Sequence, residues 1–241
     1  MFEEENNIFF HFKQFSVRHH QSSFKIGFDG VLLGAWCDVP DANSILDIGT
    51  GSGLIALIAA QRNPEAQITG IEPDAASYSD ANYNFNNCKW SDRLFLSNDS
   101  LMEFKKPNEI RFDHIISNPP FFDNTLPPPD ISKKLSRHAV TLSHQDILQY
   151  FIENASDNGK LSLILPTKPA EELLVVAEKL ELHNSRLTKV ITKGATKRIL
   201  LEFSKNSATE TEIKELIVYN EDGSYSSEYL NLVSELYLNL G

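Results

Sequence analysis

Cysteine is nearly absent from this chain. The two present, Cys37 and Cys88, stand far apart with no Cys or His partner at ligand spacing. That excludes a disulfide framework and argues against a zinc site, so both are expected to be small buried side chains and no metal is expected. Long apolar runs are missing too: no stretch is long enough to span a bilayer, and Met1 to Asn7 is acidic where a secretion signal would be basic. A cytoplasmic protein without a membrane partner is expected.

Positive charge is also scarce, with 22 Lys and Arg against 33 Asp and Glu and a net charge of -11. Such a protein repels nucleic-acid phosphate at long range. The imbalance is uneven, however, because from Asn206 to Gly241 seven acids face a single base, Lys214. Bases gather in three groups: Lys13, Arg18 and Lys25; Lys133, Lys134 and Arg137; Lys189, Lys193, Lys197 and Arg198. Solvated surface accounts for each group alone, and a phosphate track requires all three to surround one cleft.

What is present is an alternation of strand and helix patterns. Ser44 to Ile48 is a short apolar run, Gly49 to Gly53 is glycine-rich, and Leu54 to Arg62 is an Ala, Leu and Ile run stopped by Asn63-Pro64. Strands follow at Ile68 to Ile71, Leu94 to Leu96, Phe112 to Ile116 and Gly159 to Leu165. Helices are expected from Asp74 (the N-cap) to Asn86, Ser143 to Ser156 and Lys168 to Leu180. The order predicts an α/β three-layer sandwich on a mostly parallel sheet. Arg186 to Thr192 and Arg198 to Phe203 leave no room for a helix between them and predict an antiparallel hairpin at one edge. In the tail, Ile213 to Tyr219 suits an added edge strand. Glu228 to Leu238 suits a short amphipathic helix with Leu230, Val233 and Leu236 to Leu238 inward. The segment Asp123 to Ser136 reads as a long surface loop.

The tetrapeptide Asn118-Pro119-Pro120-Phe121 ends the Phe112 strand. Two prolines donate no backbone hydrogen bond and fix φ, so pairing stops in one rigid, extended shape. An amide, a proline carbonyl and an aromatic ring held together suit the grip of a planar group by its NH2 and face. A proline turn with a core Phe explains the tetrapeptide equally well when it is taken alone, and the glycine loop decides.

In Asp47-Ile48-Gly49-Thr50-Gly51-Ser52-Gly53 the glycines fall at every second position between strand and helix. The dinucleotide fingerprint G-x-G-x-x-G is missing, since Leu54 stands at its third glycine, and there is no G-K-S/T phosphate loop. An acid directly before the glycines repels pyrophosphate and pairs with an amine, which favours S-adenosyl-L-methionine. Glu72, after the second strand, is placed to take two ribose hydroxyls. Asp99, after the third, is placed to accept from an adenine amine, or to cap the turn Ser100 to Phe104.

The ILDIGTGSG loop, the acidic second-strand end and the NPPF signature together resemble the class I methyltransferases. The segments FKQFSVRHH, FKIGFDGVLLGAW (Phe24 to Trp36), SNPPFF, SRHA and TKRILLEF are similar to the bacterial tRNA1(Val) adenine N6-methyltransferases, over about Phe10 to Phe203. That resemblance implies a Rossmann-like fold with a seven-stranded sheet carrying one antiparallel strand. It also implies that Lys25, Gly27 and Asp29 help close over the cofactor. Phe28, where family members have a small residue, and the His19-His20 pair depart from the family pattern without touching the chemistry. A single catalytic unit is expected, acting as a monomer: 1–43 as substrate- and cofactor-closing segment, 44–205 as core, 206–241 as acidic extension.

On this reading Asn118 and the Pro119 carbonyl each accept one N-H of the adenine N6 amine while Phe121 stacks on the ring, all presented by the rigid Pro119-Pro120 turn. No general base is needed beforehand. His138 is the rival base, and a phosphate or structural contact is the reading preferred for it. The RNA contacts expected are Lys13, Lys133, Lys134, Arg137, His138, Lys197 and Arg198, with Lys197 and Arg198 alternatively edge-strand charges that discourage sheet stacking. The same NPPF grip fits an rRNA guanine or a protein glutamine amide. The families acting on those usually carry a domain ahead of the glycine loop, where this chain has 43 residues before Ser44. A binding-only protein and a nicotinamide oxidoreductase are disfavoured, the first by intact Asn118, Asp47 and Glu72, the second by the glycine spacing.

Overall fold

The structure, a computed structural model, describes residues 8–22, 26–107, 110–119, 142–206 and 210–239. A small antiparallel hairpin of β1 (Phe9–His11) and β2 (Ser16–Arg18) precedes helix α1 (Phe28–Trp36). Then come β3 (Ser44–Ile48), α2 (Leu54–Arg62), β4 (Gln67–Ile71), α3 (Ala75–Asn86), β5 (Leu94–Ser97) and β6 (Phe112–Ser117). The second half holds α4 (His144–Asn154), β7 (Ala155–Leu165), α5 (Thr167–Lys179), β8 (His183–Thr192), β9 (Ala195–Ser204), β10 (Glu212–Ile217) and α6 (Ser227–Val233). Strands β3 to β10 make one sheet in the order β10-β8-β9-β7-β6-β3-β4-β5, in which β9 runs antiparallel to both neighbours and the other pairs are parallel.

Strand alternation divides the core. Ile45, Ile68, Ile116, Ile164 and Leu200 point to one face, packed with Leu32 and Leu33 of α1, Leu57 and Ile58 of α2 and Val233 of α6. Leu46, Ile115, Leu163 and Leu201 point to the other, packed with Ile147, Leu148 and Phe151 of α4 and Leu173 of α5. Successive side chains on a strand take opposite faces, so a sheet buried on both sides needs apolar residues throughout. Helices α1 and α2 meet closely because α1 offers glycines: a Cβ on Gly34 would lie 3.0 Å from Ile58, and one on Gly30 3.2 Å from Leu54. Asp74 caps α3 by accepting from the Ser77 N–H, and Ser143 with Asp146 forms a capping box at the start of α4.

Four expectations change. The sheet has eight strands rather than seven, because Glu212–Ile217 pairs in parallel register with β8, Glu212 opposite Arg186 and Ile217 opposite Ile191. The β8–β9 hairpin is therefore not at the edge, and β9 lies between β7 and β8, which removes edge-strand protection as the reason for Lys197 and Arg198. The hairpin turn is only Lys193 and Gly194, at φ 50° and 72°, the left-handed pair that a two-residue turn between twisted strands requires. In the tail, Val233 and Leu236 are buried as expected, but Leu238 is exposed and Tyr229 fills the place next to α1. Cys37 is buried and its thiol is pushed up to about 12 by burial, whereas Cys88 is half-buried. Among the described residues no helix is long and apolar enough to cross a membrane.

The loops that set the entry to β3 and β4 hang on one buried side chain. Asn63 donates to the carbonyls of Val39 (2.6 Å) and Ala42 (2.7 Å) and accepts from the Glu65 and Ala66 N–H groups (2.9 and 2.8 Å). Its removal strands several buried backbone groups, each worth about 1–3 kcal/mol when unpaired. Asn63→Ala is expected to lose about 3 kcal/mol of stability in urea unfolding with the m-value unchanged; a loss under about 1 kcal/mol would contradict this account of the loop.

Candidate active site

Sheet register brings the candidate residues together. Ile48 of β3 lies opposite Ile71 of β4 and Ser117 of β6, and Ile71 lies opposite Ser97 of β5. Four neighbouring strands thus end in one row, and the next residues along each chain are Asn118, Gly49, Glu72 and Asn98-Asp99 in that order across the sheet. Strand β3 is also where the strand order reverses, with β4 on one side and β6 on the other. A crevice outside the carboxyl ends of the strands opens at such a switch point and is where open α/β sheets bind ligands.

The glycine loop is fixed from below. Gly49 and Thr50 donate to the Ile71 carbonyl (2.9 and 3.0 Å), and the Thr50 hydroxyl donates to Asp47 Oδ2 (2.6 Å). Gly49 and Gly51 adopt φ 68° and 60°, and a Cβ on either would meet nothing within 4 Å, so the backbone there faces open space. Gly53 differs: a Cβ would fall 2.5 Å from the Phe85 ring, so its part is close packing of the loop on α3. Glu72 accepts from the Gly51 N–H (2.8 Å) with Oε2 and the Asp74 N–H (2.9 Å) with Oε1. Each carboxylate oxygen keeps a second lone pair. Burial raises the Glu72 carboxyl above its ordinary range. Asn98 donates to the Glu72 carbonyl (2.7 Å), and Asp99 accepts from the Ser97 hydroxyl.

Two buried oxygens near the strand ends find no hydrogen-bond partner among the described residues: Asn118 Oδ1, after β6, and Asp47 Oδ1, beneath the glycine loop. Unpaired buried acceptors are costly and mark places where a ligand donor fits. S-Adenosyl-L-methionine fits these residues, with an acid behind an open glycine backbone, a carboxylate at the next strand end and an amide acceptor on the strand at the other side. Asp47 itself is fully buried beneath the loop rather than lining the crevice.

Among the described members of the three basic groups, the two arginines are committed to carboxylates. Arg198 donates to Asp29 (2.7 Å), so two residues expected in separate roles, RNA and cofactor closure, pair with each other. Arg18 donates to Asp80 (2.7 Å). Lys13 and Lys197 are exposed, the Lys13 N–H donating to the Leu236 carbonyl (2.8 Å). Gly27 is the N-cap of α1. Lys25, Pro120, Phe121, Lys133, Lys134, Arg137 and His138 lie outside the described residues, as does the Asp123 to Ser136 loop. Sequence reasoning missed Thr50, Asn98 and Ser117, whose hydroxyl donates to the Ile48 carbonyl (2.8 Å). They are small polar residues flanking strand ends, a signal shared by many turns.

Burial pushes the Asp47 carboxyl up from 3.8 to about 7, and the bonds from Thr50 and the Ala56 N–H only partly offset it. Between those two values the folded chain holds a proton that the unfolded chain has released. Stability is therefore lost as pH rises through about 7. Asp47→Asn, neutral throughout, is expected to show a smaller fall in melting temperature from about pH 5 to about pH 8 than the unsubstituted protein, by scanning fluorimetry; parallel curves would refute the raised carboxyl.

Comparison with known proteins agrees with this geometry. Residues 30–161 match the Methyltransferase small domain family. The tRNA1(Val) (adenine(37)-N6)-methyltransferase of Bacteroides thetaiotaomicron is 39% identical over 97% of this chain and 99% of its own, and that of Trichodesmium erythraeum is 40% identical over 95% and 97%. A predicted O-methyltransferase of Agrobacterium tumefaciens has the same fold, with a TM-score of 0.67 at 19% identity over 86% of this chain and 96% of its own. With its glycine loop, its NPPF strand end and near-complete relatives of this kind, the chain belongs to the tRNA1(Val) (adenine(37)-N6)-methyltransferase family.

Proposed function

We propose that this chain methylates the N6 amine of adenine 37, beside the anticodon of tRNA1(Val), with S-adenosyl-L-methionine as methyl donor. The observation that carries the reading is Asn118 Oδ1, a buried acceptor with no partner among the described residues, at the tip of the strand next to the glycine loop. The bound cofactor supplies an electrophilic methyl group on a positively charged sulfur. The Gly49 and Gly51 backbone would lie along it, Glu72 would take the ribose hydroxyls with its remaining lone pairs, and Asp99 would accept from its adenine amine. Gly27 and Asp29, with Lys25, would close over it, and the buried Asp47 charge would favour its ammonium group from beneath the loop.

An adenine amine is a poor nucleophile because its lone pair is delocalised into the ring. Asn118 Oδ1 and the Pro119 carbonyl accept its two N–H bonds, which draws the nitrogen toward tetrahedral geometry and localises that pair. Phe121 stacks on the base and orients it. The base must leave its stack to enter, at a cost of a few kcal/mol that is smaller in an unpaired anticodon loop. Phosphate contacts come from Lys13 and Lys197, and from Lys133, Lys134, Arg137 and His138. Arg198 serves the RNA indirectly by holding Asp29. We read the chain as one catalytic unit, a monomer working in the cytoplasm on its tRNA, with 1–43 closing over the site, 44–205 as core and 206–241 as extension.

Labelled methyl transfer to bulk tRNA, ribosomal RNA and release factor in parallel is expected to mark tRNA alone, with N6-methyladenosine recovered at position 37. Label in rRNA guanine or in a glutamine amide overturns the reading. Asn118→Ala is expected to abolish turnover while S-adenosylhomocysteine affinity stays within a few fold, and His138→Ala to keep measurable turnover; near-normal rates in Asn118→Ala remove the proposed grip. Lys197→Ala is expected to lower the slope of log affinity for tRNA against log salt by about one. An unchanged slope removes Lys197 from the phosphate contacts.

A further inference from the structure

Helix α3 carries a pair of buried polar residues, Asp80 and Asn84, that the proposed chemistry does not use. Four apart, they share one helix face. Asn84 accepts from the Arg18 N–H (2.7 Å) and donates to the Arg18 carbonyl (2.9 Å), so its side-chain amide pairs with the end of β2 as a neighbouring strand would. The same Nδ2 group also donates to the Ser52 carbonyl (2.8 Å), inside the glycine loop. Asp80 holds the continuation of the arm, accepting from Arg18 Nε (2.7 Å) and from the Gln21 and Ser22 N–H groups (both 2.8 Å). The Arg18 guanidinium lies 4.3 Å from the centre of the Tyr83 ring, and Phe85 fills the space under Gly53.

We propose that Asn84 is a positioning residue for the cofactor, because one side-chain amide joins the N-terminal arm to the glycine loop and fixes the spacing between them. The inference rests on the reading that this loop cradles S-adenosyl-L-methionine and that the stretch from Lys25 to Asp29 closes over it. Both Ser52 and Asn84 are buried, so loss of the amide leaves the Ser52 and Arg18 carbonyls and the Arg18 N–H without a partner. The loop then sheds its only side-chain tie to the arm among the described residues. A binding surface loosened in this way loses affinity before it loses chemistry, because Asn118 and Pro119, which grip the adenine amine, follow the end of β6 and are not part of the tie.

The test is calorimetric binding of S-adenosylhomocysteine together with steady-state kinetics. Asn84→Ala is expected to weaken S-adenosylhomocysteine at least tenfold and raise KM for S-adenosyl-L-methionine similarly, with kcat at saturating cofactor within about threefold. Asn63→Ala, which removes as many buried bonds far from the loop, is expected to lower the melting temperature while keeping both constants. Unchanged affinity in Asn84→Ala overturns the proposal, and so does an affinity loss in Asn63→Ala that matches it, since the effect is then general destabilisation. If Asn84→Ala is insoluble, Asn84→Asp decides: it keeps an acceptor for the Arg18 N–H but loses both donations, to the Arg18 and Ser52 carbonyls, and a KM raised several fold supports the tie while an unchanged KM refutes it. Failure of the unsubstituted protein to bind S-adenosylhomocysteine strikes at the cofactor reading instead.

Discussion

Parallel pairing in fixed register is the constraint on which the site depends. Ile48, Ile71, Ser97 and Ser117 share one row of the sheet, so the residues that follow them are brought side by side although they come from four separate stretches of chain. A slip of one residue in any strand would exchange its two faces and turn buried isoleucines outward. The two-sided core therefore holds the crevice in place: the alternation that sends Ile45 and Leu46 to opposite faces also decides where Gly49 begins.

Much of this was legible in the chain. The strands at Ser44, Ile68, Leu94 and Phe112 and the helices opened by Asp74 and Ser143 carry their own start signals, and the structure places them within a few residues of expectation. These signals are local, and local chemistry such as an N-cap side chain does not depend on the rest of the fold. What escaped was set by distant partners. Helix α1 reads as an apolar stretch with two glycines, and only contact with Leu54 and Ile58 of α2 explains them. Residues Glu212–Ile217 were legible as an added edge strand, but not the parallel register against β8 that makes them the eighth strand of the sheet.

The candidate site divides in the same way. The glycine loop, Glu72 and Asn118 were picked out from spacing and strand ends, and sheet register brings them to one row. The acid Asp47 was picked out with them, but not its depth, because nothing in DIGTGSG tells that Thr50 folds back over the carboxylate. Nothing in the sequence singles out Asp80 and Asn84 on α3, whose burial comes from the N-terminal arm laid against them. In the sequence Arg18 is one of a basic group and Arg198 one of the expected RNA contacts, and in the fold each is tied to a carboxylate from a distant segment, Asp80 and Asp29. Each such pair removes one charge of either sign from the surface and leaves the net balance of -11 unchanged, while Lys13 and Lys197 stay exposed.

The small N-terminal hairpin has a second attachment besides α3. Phe12 bridges Tyr237, the rings of Phe10 and Phe12 pack against that tyrosine, and the Lys13 N–H reaches the Leu236 carbonyl. Tyr237 is made long after Phe12 during translation. The arm therefore waits, half supported, until residues 236 and 237 have left the ribosome, when the sheet strands that precede them in the chain have all been made.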